Sequence, residues 1–188
     1  MSPTEGFARL ARERGIEREL TEYDEQLEQV LPNVRRLVEA SRAHRLPLVF
    51  TRLVAPAGDD VGGHAAATGF GARAGAREAE FLPDLRPQPG EIVIDKPTLS
   101  PWLETGLPAM LRERDVQYLI LCGVLANGGI EQTAREAADR GFGVIVVADA
   151  CAAETWTIHG FVMSTLVGGL IRTRTTQAVL EMLEGSRT

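Results

Sequence analysis

The 188-residue chain is poor in cysteine, in long apolar runs and in surplus positive charge. Two cysteines, Cys122 and Cys151, cannot build the disulfide framework of a small secreted domain or a four-ligand zinc site, and each stands beside an apolar run as a reduced core thiol does. No stretch approaches the ~18–20 apolar residues of a membrane span, and the opening MSPTEGFARLARERG has no apolar signal core. Lysine and arginine number 20 against 26 acidic residues, a net charge of -6, which favours neither a nucleic-acid backbone nor an anionic membrane as partner. What is left is the composition of a packed globular protein, 44% hydrophobic, expected in the cytoplasm and expected to form one domain over residues 1–188.

Short β-branched runs alternate with amphipathic stretches through the C-terminal half, the pattern of βα units. Pro47 to Val54, Ile92 to Ile94, Tyr118 to Cys122 and Val144 to Val147 read as parallel strands covered on both faces, with Gly169 to Arg172 as a last one. Helices are expected over Leu103 to Arg114, Ile130 to Arg140, Thr155 to Leu166 and Thr176 to Leu183, Gly141 capping the second of these. Asp24 to Arg45 places Leu27, Val30, Val34, Leu37 and Val38 at helical spacing, with Pro32 as a potential break. Ala55 to Pro89, rich in Gly, Ala and Pro, has no period and the length of a lid or binding loop. The whole reads as a doubly wound, three-layer α/β/α fold around a mainly parallel sheet.

Ligands bind such folds outside the carboxyl ends of the strands. Here the strand ending at Cys122 runs through Gly123-Val-Leu-Ala-Asn-Gly-Gly129 into a helix, whose N-terminus offers N–H groups and a positive dipole end to an anion. The same glycines are equally well explained as turn formers that permit positive φ.

Several pieces in order resemble the isochorismatase-like hydrolase superfamily, which includes nicotinamidases, carbamoylsarcosine and ureidoacrylate amidohydrolases and isochorismatases. They are Pro32-Asn-Val-Arg-Arg-Leu-Val38, Pro47-Leu-Val-Phe-Thr-Arg52, Leu85-Arg-Pro-Gln-Pro-Gly-Glu-Ile-Val-Ile-Asp-Lys96, Gly123-Val, Thr133-Ala-Arg, Asp149-Ala and His159. The resemblance implies a Rossmann-like sheet and a site made of Lys96, the loop residues Val124, Leu125, Asn127 and Gly128, and position 129. It also implies a non-proline cis peptide near Val124–Leu125. Amidase members carry a nucleophilic cysteine where this chain has Gly129, so an acyl-enzyme is not expected. Isochorismatases that cleave a vinyl ether are similar in having glycine there. Lys96 matches the family lysine that offers positive charge to a carboxylate or developing anion. The family's acid, an Asp ending a first strand, has no counterpart, and Met1 falls just after its place: either the sequence starts at an internal site or the protein dispenses with that strand and its acid, and the sheet is expected to show the position vacant or filled by another segment.

No substitute acid is found. Glu22, Asp24 and Glu25 lie on a solvated approach, and alternation turns Asp95 away from Lys96. Cys122 reads as core; Cys151 lies close to the strand ends but on a position that the family fills with small structural residues. His64 has no Asp-x-His partner and makes no metal site, while His44 and His159 read as structural. Gly128-Gly129 lacks the dinucleotide fingerprint, and no cofactor is expected. The function implied is hydrolysis of a small anionic substrate, such as an isochorismate-like enol ether, by a homo-oligomer without a covalent thiol. The alternative is a catalytically impaired member that binds a small molecule or a partner subunit.

Overall fold

A computed structural model describes residues 15, 17–55, 72–76, 79–166 and 169–185. The chain enters through a long helix, α1 (Glu17–Ala43), followed by β1 (Val49–Ala55), β2 (Ala72–Arg73), β3 (Ile92–Lys96), α2 (Leu107–Glu113), β4 (Tyr118–Val124), α3 (Glu131–Asp139), β5 (Gly143–Ala152), α4 (Trp156–Thr165), β6 (Ile171–Arg174) and α5 (Thr176–Gly185). Every strand pairing is parallel, as the continuous apolar runs predict. The strands form two three-stranded sheets, β2-β1-β3 and β4-β5-β6. Among the described residues no strand lies between β1 and β4. On its edge away from β3, β1 pairs with β2 only at Val54 and Ala55. The expected alternative to an empty position, another segment filling it, is therefore not found among these residues.

Side-chain alternation along β5 sorts the two apolar layers. Val144 and Val146 pack with Leu107 and Leu111 of α2, Ala134 and Ala137 of α3, and Val162 and Met163 of α4. Val147, on the other face, packs with Leu37 of α1 and Val179 of α5, with Ile145 against them. Helices thus cover both faces of the strands, the three-layer arrangement that the sequence predicts.

Pro32 does not break α1, which continues through it. An interior proline forfeits one helical bond, about 3 kcal/mol, and the burial of Val30, Leu37 and Val38 outweighs it. The helix expected from Leu103 begins only at Leu107, because Pro108 is tolerated in a first turn but not further in; the Leu107 N–H donates to the Thr105 hydroxyl at 3.2 Å. The last strand starts at Ile171, two positions after the expected Gly169, which has φ +53° in the preceding turn. Gly141 takes φ +87° where α3 ends, as expected of a cap. Of the long loop, Ala72–Arg73 forms a short strand and Pro83–Leu85 a single 3-10 turn. Much of that loop, including His64, lies outside the described residues.

Candidate active site

The two outward halves of β3 have different fates, and this sets the site. Asp95 is exposed and clasped by Arg52, its cross-strand neighbour on β1, through two hydrogen bonds of 2.7 Å. Lys96 points the other way with Ile94 and is only 5% exposed. Alternation thus separates the two charges, as the sequence predicts. The Lys96 amine donates to the carbonyls of Thr98 at 3.0 Å and Leu99 at 2.7 Å, in the loop that follows its own strand. Burial lowers its pKa to about 8.

The second component comes from β4. Gly123 has φ +121°, a value that favours glycine, and sits where the β4–β5 register shifts. The next peptide bond, Val124–Leu125, is cis, at the position that the family resemblance implies. Leu125 packs against the cluster of Tyr23, Val30 and Ala152, which anchors the loop to α1. The chain then makes one wide π turn, Ala126–Ile130, before α3; the N–H groups of Gly128 and Ile130 donate to the Leu125 carbonyl at 3.1 and 3.2 Å. The helix expected to open near Gly128 therefore opens as a π turn, with Gly128 itself outside helical geometry. Asn127 Oδ1 is buried with no hydrogen-bond partner among the described residues.

The turn brings Gly129 to Lys96. A β-carbon on Gly129 would lie 3.7 Å from Lys96 Nζ and 3.7 Å from the Leu99 carbonyl oxygen, both ordinary contact distances. Beside the turn, Leu99, Asn127, Gly128, Glu131, Gln132 and Arg135 line an open cleft of about 280 Å³. Lys96, Gly129, Gly128 and Asn127 are therefore grouped at the carboxyl ends of the strands, while Val124 is exposed and Leu125 serves the loop's anchoring.

Trp102, which the sequence does not single out, and Thr133 of the family-like Thr133-Ala-Arg hold this arrangement. Trp102 is buried and donates from Nε1 to the Thr133 carbonyl at 3.2 Å, and the Thr133 hydroxyl donates to the Gly129 carbonyl. The loop that grips Lys96 is thereby tied to the helix that carries Gly129. Such contacts fall largely on backbone carbonyls, which every residue has, so residue identity carries little signal of them.

Neither cysteine is placed to act. Burial pushes the Cys122 thiol up to about 11 and the Cys151 thiol higher still. His159 is structural as expected, its Nε2 2.9 Å from the Ala148 carbonyl oxygen. Among the described residues no group of three or more His, Cys, Asp or Glu could hold a metal ion. Nor is any described helix long and apolar enough to cross a membrane.

A parallel α/β fold with a lysine and a helix-opening turn meeting at the strand ends defines the class. The isochorismatase domain profile matches residues 5–178, and the chain belongs to the isochorismatase family. It is 30% identical over 161 residues to the isochorismatase family protein YwoC of Bacillus subtilis, covering 83% of this chain and 84% of that one. An isochorismatase family protein of Burkholderia thailandensis is 27% identical, with a TM-score of 0.75 over 84% of each chain. A cysteine hydrolase from Pseudomonas syringae shares the fold at a TM-score of 0.79 and 22% identity, over 86% of this chain and 83% of that one.

Proposed function

We propose that this isochorismatase-family hydrolase acts on a small anionic substrate, of the isochorismate-like enol-ether type, without a covalent thiol intermediate. The observation that carries the reading is the 3.7 Å between Lys96 Nζ and the β-carbon position of Gly129. A β-carbon there would meet a buried amine at ordinary contact distance, and the glycine brings no thiol to it. An enol ether needs no nucleophilic side chain: its alkene carbon takes a proton, water adds to the cation, and the hemiketal collapses to a ketone and an alcohol. In this reading the Lys96 ammonium receives the substrate carboxylate, and the partnerless Asn127 Oδ1 accepts a substrate hydroxyl. Gly128 lines the cleft beside the turn, and Leu125 holds that turn against α1.

The test is the release of the keto acid from isochorismate, followed by chromatography, with Lys96→Met and Gly129→Cys in parallel. Turnover by the native chain and its loss in Lys96→Met is the expected result. A thioester adduct on the native chain after incubation with nicotinamide would overturn the reading.

The impaired-member alternative has its own support. Burial is the only cause acting on the Lys96 amine, with no described carboxylate beside it. Tight binding of isochorismate by calorimetry with no turnover would favour it. The cytoplasmic, homo-oligomeric, single-domain protein is part of the same proposal; Phe161, 68% exposed on α4, offers apolar surface for self-association, and light scattering would measure the assembly.

A further inference from the structure

Lys96 is the only lysine among the chain's 20 lysine and arginine residues. The other 19 are arginines, whose guanidinium stays charged in proteins and has no lone pair to give. The single amine is also nearly buried, at 5% exposure, in the candidate site. We propose that Lys96 is a nucleophilic amine that captures small aldehydes as an imine, in the space that Gly129 leaves open.

The hydrogen bonds around Nζ set its reactive direction. A neutral amine has two N–H groups and one lone pair. Two carbonyls, of Thr98 and Leu99, lie within hydrogen-bond distance at 3.0 and 2.7 Å. With both N–H groups donated and Cε in the third position, the lone pair takes the remaining tetrahedral direction. Among the described residues beyond the turn's own backbone, Nζ itself and the Leu99 carbonyl oxygen are the atoms that approach within 4 Å of the Gly129 β-carbon position, both at 3.7 Å. That leaves room for a carbonyl carbon and its oxygen beside the amine. Leu99 and Gly128, next to these positions, line the cleft of about 280 Å³.

Charge near the amine does not oppose the neutral form. Asp95 on the same strand faces away and is held by Arg52, and Glu131 on α3 is paired with Arg135 at 2.8 Å. With burial lowering the pKa to about 8, roughly a tenth of the amine is neutral at pH 7, against less than about one part in a thousand for an exposed lysine. In the reaction Nζ attacks the aldehyde carbon and a C–N bond forms, while one N–H proton passes to the carbonyl oxygen. The resulting hydroxyl then leaves as water with the second N–H proton, and the C=N bond forms. No oxidant or reductant is required.

The inference does not depend on the enol-ether reading, because trapping reports on the amine itself. The full chain is incubated with propanal and cyanoborohydride at pH 7, and the reduced adduct is located by intact mass and peptide mapping. Nα-acetyl-lysine amide in the same tube serves as the reference amine. The expected result is labelling of Lys96 roughly tenfold faster than the reference, or more. Lys96→Arg leaves only the α-amino group to label, and Gly129→Val, checked for native circular dichroism, slows labelling at Lys96 by a similar factor. Lys96 labelling at or below the reference rate in the native chain, or an unchanged rate in folded Gly129→Val, overturns the inference. A chain that traps propanal but cleaves no enol ether overturns only the hydrolase reading.

Discussion

The amine of Lys96 and the backbone of Gly129 stand so close that a β-carbon on the glycine would touch Nζ at 3.7 Å. A thiol placed there meets a cation at about 4 Å, where attraction at an effective dielectric near 20 is about 4 kcal/mol. Gly129→Cys is therefore expected to fold, to stay within about 1 kcal/mol of the native stability, and to carry a thiol titrating below the usual ~8.5. The pH dependence of iodoacetamide alkylation checks this; a thiol titrating at or above that value would show that the two positions do not meet.

Lys96 also gives a dated signature in stability against pH. Its folded pKa of about 8 lies below the ordinary 10.5, so the folded state pays to keep the amine charged, and that cost is complete below pH 8. Between the two values the unfolded chain binds more protons and stability rises with pH; above both the cost is gone. Lys96→Met, which removes the charge, is expected to be more stable than the native chain at pH 7, by up to about 3 kcal/mol less the lost carbonyl contacts. The difference should shrink towards pH 10. Taking the difference of two urea curves cancels Tyr23, whose phenol burial raises to about 12 and which weakens the fold from the alkaline side. A constant difference across this range would count against a buried amine.

Gln26 makes a two-way link between α1 and the residue that follows β5. It is fully buried, donating to the Ala153 carbonyl at 3.0 Å and accepting from the Ala153 N–H at 3.1 Å. Gln26→Leu keeps the volume and leaves both backbone groups unpartnered, at ~1–3 kcal/mol each. A loss of about 2 to 5 kcal/mol in urea unfolding is expected. A loss under about 0.5 kcal/mol would mean that α1 is not held there.

Both native thiols should be inert in the folded chain. Burial raises Cys122 to about 11 and Cys151 further, so thiolate is scarce at neutral pH. Iodoacetamide at pH 7.5 is expected to label neither within the time that labels both in urea. Rapid labelling of either one in the native chain would reopen a thiol mechanism.

The amino-acid order alone determined what depends on local period and residue type. The apolar runs of β3, β4 and β5, the helical spacing of Val30, Val34 and Leu37, and the opposite faces of Asp95 and Lys96 are all properties of neighbours along the chain, while the missing thiol at Gly129 is what the family resemblance implies. The chain departs from the local pattern at Pro32, which α1 runs through, and at Leu103, because long-range burial in one case and first-turn geometry in the other outweighed it, and the last strand starts at Ile171 rather than Gly169. Only the tertiary structure decided the rest. It divided the described strands into two sheets, brought the end of β3 to the turn after β4, and turned the Thr98 and Leu99 carbonyls onto Lys96. It also removed that amine from water, which is what moves its pKa. These are contacts between distant segments, made largely through backbone groups that all residues share, and residue identity does not encode them.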